Sequence, residues 1–120
     1  MKKILVIEDS LPVKKILEHV LGKENEVTLT DNGVEALDWL QEGTIPDLII
    51  CDIQMPIMGG EEFVTEVKSS GFFREIPIIM LSGIESSTER IKMLKLGAND
   101  YLVKPFNPEE LKLKADILLS

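Results

Sequence analysis

Four apolar runs in this chain end on side chains that can do chemistry. Residues 4–7 lead into Glu8 and Asp9, residues 48–51 into Asp52, residues 78–81 into Ser82 and residues 101–103 into Lys104. In the stretch DLIICD, four apolar residues precede Asp52, and a lone carboxylate buried at the end of such a segment is costly, so Asp52 must open onto a wet, polar or metal-filled edge. Three carboxylates drawn together repel by about 1 kcal/mol per pair at about 4 Å in water and by about 4 at an effective dielectric near 20. A hard divalent cation relieves that repulsion. Mg²⁺ suits one or two carboxylates, a backbone carbonyl and several waters, and leaves positions for phosphate oxygens. With Lys104 as a point charge and Ser82 as a hydroxyl donor, the set contains what phosphoryl transfer needs: a nucleophile, cations to neutralise the phosphoryl oxygens and a donor to hold one of them. Asp52, alone at its strand end, is the expected nucleophile, and the Glu8–Asp9 pair the expected metal holder.

Only a particular arrangement of elements brings these four ends together. The apolar runs at 4–7, 48–51, 78–81 and 101–103, with a weaker alternation at Val27 and Leu29, predict five strands. Between the first two, Val13, Ile16, Leu17, Val20 and Leu21 follow helical spacing, with Ser10 as N-cap, Pro12 in the first turn and Gly22 as the stop. Further helices are predicted around Ala36, Leu37 and Leu40, around Phe63, Val64 and Val67, around Ile91 and Leu94 before Gly97, and around Leu111, Ala115 and Leu118. Strand and helix thus alternate five times, which implies a parallel sheet covered by helices on both faces, joined by right-handed connections. All C-terminal strand ends then share one edge. The flavodoxin-like order 2-1-3-4-5 sets strands one and three side by side where the order reverses, and open sheets bind ligands there. The expected fold is therefore an α/β three-layer sandwich with a five-stranded parallel sheet in that order and five helices. Thr30 and Asp31, which end the second strand, are left outside the site.

The bulk properties narrow the function. The chain has 120 residues, the size of one domain, and shows no linker or low-complexity tract, so a single unit over 1–120 is expected. Against 13 Lys+Arg stand 21 Asp+Glu, a formal net charge of -8, which disfavours nucleic acid and anionic membrane as direct partners. Acidic residues at Glu8 and Asp9 end the first apolar run far short of a membrane span. Cys51, the single cysteine, sits inside an apolar run and reads as a buried, inert thiol, in keeping with a reducing cytoplasm.

With those residues in place, the chain resembles the receiver domains of two-component response regulators over essentially its whole length. The resemblance rests on the acidic pair in ILVIEDS, the aspartate in DLIICDIQMPIMGG, the hydroxyl in IIMLSG and the lysine in GANDYLVKPF. It implies a signalling phosphoacceptor rather than a turnover enzyme, in which Asp52 takes a phosphoryl group from a histidine kinase or histidine phosphotransfer protein and switches an output domain or target protein. It further implies Mg²⁺ held by Asp9, Asp52 and the backbone carbonyl of Gln54, with Glu8 acting mainly through water. Lys104 would pair with the phosphoryl group, beside a Lys104–Pro105 bond often cis in the family. Ser82 would close on that group while Tyr101 turns inward as the second switch residue. Glu8 stands where many members have aspartate, and Ser82 where threonine is common.

Other residues read more simply. His19 is expected on the polar side of the first helix, Trp39 and the methionines in packing, and the Glu89, Arg90 and Lys92 cluster on a solvated helix face. Haloacid-dehalogenase-like phosphatases also use an aspartate nucleophile and Mg²⁺, but their D-x-D pattern has Gln54 at its second position here. A nucleotide or flavin binder would need a glycine-rich loop where EDSLP stands. A phosphate-independent receiver-like interaction module would have no use for Asp52, Ser82 and Lys104 together.

Overall fold

The computed structural model describes all 120 residues. Ten elements alternate along the chain: β1 (Lys2–Ile7), α1 (Leu11–Leu21), β2 (Asn25–Thr30), α2 (Gly33–Gln41), β3 (Leu48–Asp52), α3 (Gly60–Lys68), β4 (Ile78–Ser82), α4 (Ser87–Leu96), β5 (Asp100–Val103) and α5 (Pro108–Leu119). The strands form one parallel sheet in the order β2-β1-β3-β4-β5, the flavodoxin-like arrangement expected from the alternation.

Because side chains alternate across a strand, the apolar runs feed two separate cores. Leu5, Ile7, Ile49, Cys51, Ile78 and Met80 face one layer, which α2, α3 and α4 close with Leu40, Phe63 and Met93. Ile4, Val6, Leu48, Ile50, Ile79 and Leu81 face the other, closed by Leu17 and Leu21 of α1 and Leu111 and Ala115 of α5. Both faces of β3 and β4 are buried along their whole length, which is why those strands carry unbroken apolar sequence rather than alternation.

Helix ends follow local chemistry. Ser10 caps α1 by accepting from the Val13 N–H, and Asn107 caps α5 with Pro108 in the first turn. α4 ends at Gly97, whose φ of 119° is the left-handed conformation that glycine adopts freely. The apolar pattern of α4 misleads, however. Ile91 and Leu94 are exposed, and Met93 is the side chain that enters the core. The sheet needs only a narrow contact from this helix, which leaves a second apolar strip facing out.

Register stages the site. Ile7 lies opposite Cys51, so Glu8 leaves β1 level with Asp52. Asp52 lies opposite Leu81, which sets Ser82 one residue further out on β4, and Ser82 lies opposite Val103, which sets Lys104 one residue beyond on the β5 side. The backbone just after β3 is drawn against α3: the Gly60 N–H donates to the Ile53 carbonyl at 2.8 Å. A Cβ at Gly60 would stand 2.4 Å from the Asp52 carbonyl oxygen, so only glycine permits that approach.

Candidate functional site

The same alternation that divides the core divides the edge. Asp52 follows the side of β3 that carries Leu48 and Ile50, and Glu8 and Lys104 continue the matching side of their own strands, toward α1 and α5. Ser82 follows Ile78 and Met80, and with Tyr101 it looks toward α4.

On the first side the structure brings the predicted acids together. Carboxylate oxygens of Glu8, Asp9 and Asp52 lie within 4.8 Å of one another. Glu8 is fully buried and Asp52 is 4% exposed, while Asp9 is exposed. Lys104 Nζ lies 2.9 Å from Glu8 Oε1 and 3.1 Å from Asp52 Oδ2, so one ammonium serves two buried carboxylates. Burial by itself lowers the Lys104 ammonium, but the Glu8 and Asp52 carboxylates outweigh it and hold its pKa above the ordinary lysine value. The other Glu8 oxygen accepts from the Ser10 N–H at 3.0 Å. Both oxygens of Glu8 are therefore bound within the chain. Asp52 Oδ1 meets only the Gln54 N–H, at 3.4 Å, and the Asp9 carboxylate has no hydrogen-bond or ion-pair partner. This is an oxygen donor set with spare lone pairs on Asp9 and Asp52, the chemistry a hard divalent cation requires. The Lys104–Pro105 peptide is cis.

Cys51, one residue before Asp52, is fully buried. Burial first, then the Asp52 and Glu8 carboxylates, push its thiol well above the ordinary value, which makes it unreactive as expected.

On the second side the chain contains a residue that sequence reasoning assigned elsewhere. Ser82, fully buried, donates to Glu89 Oε1 at 2.8 Å, and the Tyr101 hydroxyl donates to that same oxygen at 2.7 Å. The Tyr101 hydroxyl also lies 3.1 Å from the Ile84 carbonyl, and the residue is 7% exposed. Burial raises the Tyr101 phenol above its ordinary value, and the Glu89 carboxylate acts in the same direction. The Arg90 guanidinium stands 5.9 Å from the ring centroid. The solvated face expected for Glu89, Arg90 and Lys92 thus holds for Lys92, which pairs with Glu61 near the surface, but not for Glu89. A cue was present in SSTE, residues 86–89, the S-x-x-E pattern of a capping box. That pattern turns the glutamate back toward its own helix end, whereas the structure turns it across to Ser82.

The expectation that Thr30 and Asp31 stand outside the site agrees with the geometry. Thr30 donates to the Val6 carbonyl and Asp31 pairs with Lys14, so neither joins the acids. No helix is long and apolar enough to cross a membrane.

Comparison with known proteins agrees with the geometry. Residues 4–116 match the family model of the response regulator receiver domain. The chain is 38% identical over 119 residues to the chemotaxis protein CheY1 of Helicobacter pylori, covering 98% of this chain and 96% of that protein. Among solved structures it superposes on the chemotaxis response regulator CheY4 of Vibrio cholerae with a TM-score of 0.91 at 36% identity, covering 99% of each chain. A response regulator structure from Chloroflexus aurantiacus, described as putative, gives a TM-score of 0.92 at 34% identity, covering 98% of this chain and 97% of that one.

Proposed function

This chain belongs to the response regulator receiver domain family, and on that premise we propose that residues 1–120 form one receiver unit in which Asp52 accepts a phosphoryl group from a histidine kinase or histidine phosphotransfer protein. An Asp52 carboxylate oxygen attacks phosphorus, and the bond from phosphorus to the donor's imidazole nitrogen breaks. The nitrogen keeps the bonding pair and takes up a proton where its ring needs one, leaving an acyl phosphate on Asp52. The observation that carries this reading is the Lys104 ammonium, 3.1 Å from Asp52 and 2.9 Å from Glu8. It sets a fixed positive charge beside the carboxylate that would receive a dianionic group.

The acid cluster could bind a metal ion, and in this reading the ion is Mg²⁺. Asp9, Asp52 and the backbone carbonyl of Gln54 would hold it, with Glu8, both of whose oxygens are already bonded, acting through water. Bound there, Mg²⁺ supplies positive charge to the phosphoryl oxygens. Lys104 would turn from Asp52 to those oxygens, and Ser82 would donate its hydroxyl proton to one of them. The outcome would be read at Tyr101 and on the face of α4, β5 and α5 by an output domain or target protein, in a reducing cytoplasm that suits the buried Cys51 thiol. Turnover of phosphate esters is not part of this reading, because Gln54 stands where a leaving-group acid would be needed.

A small acyl phosphate with Mg²⁺ tests it by intact mass. The parent should gain one phosphoryl group, and both Asp52→Asn and the parent in a chelator should gain none. Labelling of Asp52→Asn at the parental level, or many turnovers of p-nitrophenyl phosphate, would refute it.

A further inference from the structure

Ser82 has one hydroxyl proton, and Glu89 already holds it. The Ser82 Oγ donates to Glu89 Oε1 at 2.8 Å and accepts from the Ile84 N–H at 3.0 Å. A serine hydroxyl donates once, so Ser82 cannot donate to Glu89 and to a phosphoryl oxygen at the same time. Glu89 also gathers the Tyr101 hydroxyl on that same oxygen, so a single carboxylate from α4 joins the end of β4 to β5. Its own helix offers it another seat. Ser86 caps α4 by accepting from the Glu89 N–H at 3.3 Å, one half of a capping box, but the reciprocal bond, in which the Ser86 N–H would donate to the Glu89 carboxylate, is not made. The carboxylate has been diverted from its helix end to Ser82 and Tyr101.

We infer that Glu89 is a positioning residue that competes with the phosphoryl group for the Ser82 hydroxyl, so that it sets how readily the domain leaves its unphosphorylated state. This rests on the phosphoacceptor reading above. When the phosphoryl group claims Ser82, Glu89 loses one of its two donors and becomes free to complete the capping box at Ser86, which moves the first turn of α4 relative to β5. Tyr101 is buried while Glu89 holds Ser82, so what changes at the switch is the set of partners around Glu89 rather than a simple entry of the ring.

Beryllofluoride with Mg²⁺, titrated by NMR into the parent, Glu89→Ala, Glu89→Gln, Ser82→Ala and the Ser82→Ala/Glu89→Ala pair, separates the possibilities. Glu89→Ala should bind the probe about tenfold more tightly, because a hydrogen bond to a charged acceptor no longer has to be broken before Ser82 can turn. Glu89→Gln keeps an acceptor without the charge and should fall between parent and Glu89→Ala. In the Ser82→Ala background, Glu89→Ala should change affinity by less than about twofold, because no hydroxyl remains to compete for. Thermal melts identify any variant whose affinity falls through lost folding, and Glu89→Gln, which keeps the volume, then carries the test. Unchanged or weaker binding by folded Glu89→Ala and Glu89→Gln, with the parent still binding, would overturn the competition and leave the phosphoacceptor reading intact. An equal gain with and without Ser82 would overturn it too. A parent that binds no beryllofluoride would refute both.

Discussion

The two halves of the edge satisfy buried polar groups by opposite means. Toward α1 and α5, Glu8, Asp52 and Lys104 balance charge against charge, and Asp9 adds an acid that the chain leaves without a partner. Toward α4, Ser82 and Tyr101 are neutral donors that share one carboxylate oxygen. No buried side-chain nitrogen or oxygen anywhere in the fold lacks a hydrogen-bond partner, so neither half can change its bonds without exchanging partners. The charged half can exchange Lys104's contacts for an added cation and an added anion. The neutral half can only move a proton donor from one acceptor to another. In the proposed reading the first half captures the phosphoryl group and the second reads it out, and both belong to one edge because β3 and β4 are adjacent strands whose terminal residues point to opposite faces.

The sharpest way to break this comparison is to remove the charge that serves two acids. Lys104→Ala leaves Glu8 and Asp52 buried without a counterion, and in a chelator it should lower stability by about 2–3 kcal/mol by urea denaturation. That loss is modest for a buried pair because the Lys104 side chain is 21% exposed. Mg²⁺ should restore much of it, since a cation bound only by the folded state stabilises by mass action. The raised Lys104 pKa makes its contribution whole below the ordinary lysine value, and the contribution is lost only as pH rises through the higher folded value. The deficit of Lys104→Ala should therefore be flat between about pH 7 and 9 and shrink in stronger alkali. An equal deficit with and without Mg²⁺ would mean that Lys104 acts through packing, not charge.

A smaller effect of opposite sign is expected at Asp9. With no partner of its own and two acids nearby, Asp9→Asn should raise stability in a chelator by up to about 1 kcal/mol and weaken the rise in melting temperature that Mg²⁺ produces. Lower stability in the chelator would place Asp9 among the satisfied groups and erase its contrast with Glu8.

How much of this was open to sequence reading follows from the same division. The charged half was legible because strand-end residues are positioned by register. Once β1 and β3 are neighbours, Glu8 and Asp52 must meet, and the alternation of Val6 or Ile50 with their neighbours fixes the side they face. The neutral half was legible only at Ser82, which also ends a strand. Glu89 lies on a helix, and which residues of α4 touch the sheet depends on how that helix is rolled. Ile91 and Leu94 suggested one roll, while the structure buries Met93 and directs Glu89 inward. Charge content placed Glu89 in solvent, whereas the residue is half-buried and its carboxylate turns to the hydroxyls above β4 and β5.

The smallest effect sharpens that neutral half. Tyr101 is the only tyrosine, so ultraviolet titration reports this phenol alone. Its midpoint should lie above the ordinary value of about 10, and Glu89→Gln should bring it down, because a neighbouring carboxylate raises it. An unchanged midpoint in Glu89→Gln would mean that burial alone accounts for the shift.

The most direct test of the central claim is chemical identification of the acceptor. After treatment with a small acyl phosphate and Mg²⁺, borohydride reduces an aspartyl phosphate to homoserine, and peptide mass mapping then finds the converted residue. We predict conversion at Asp52 alone. Conversion at Asp9 or Glu8, or phosphoryl incorporation that leaves Asp52 unconverted, would contradict the account.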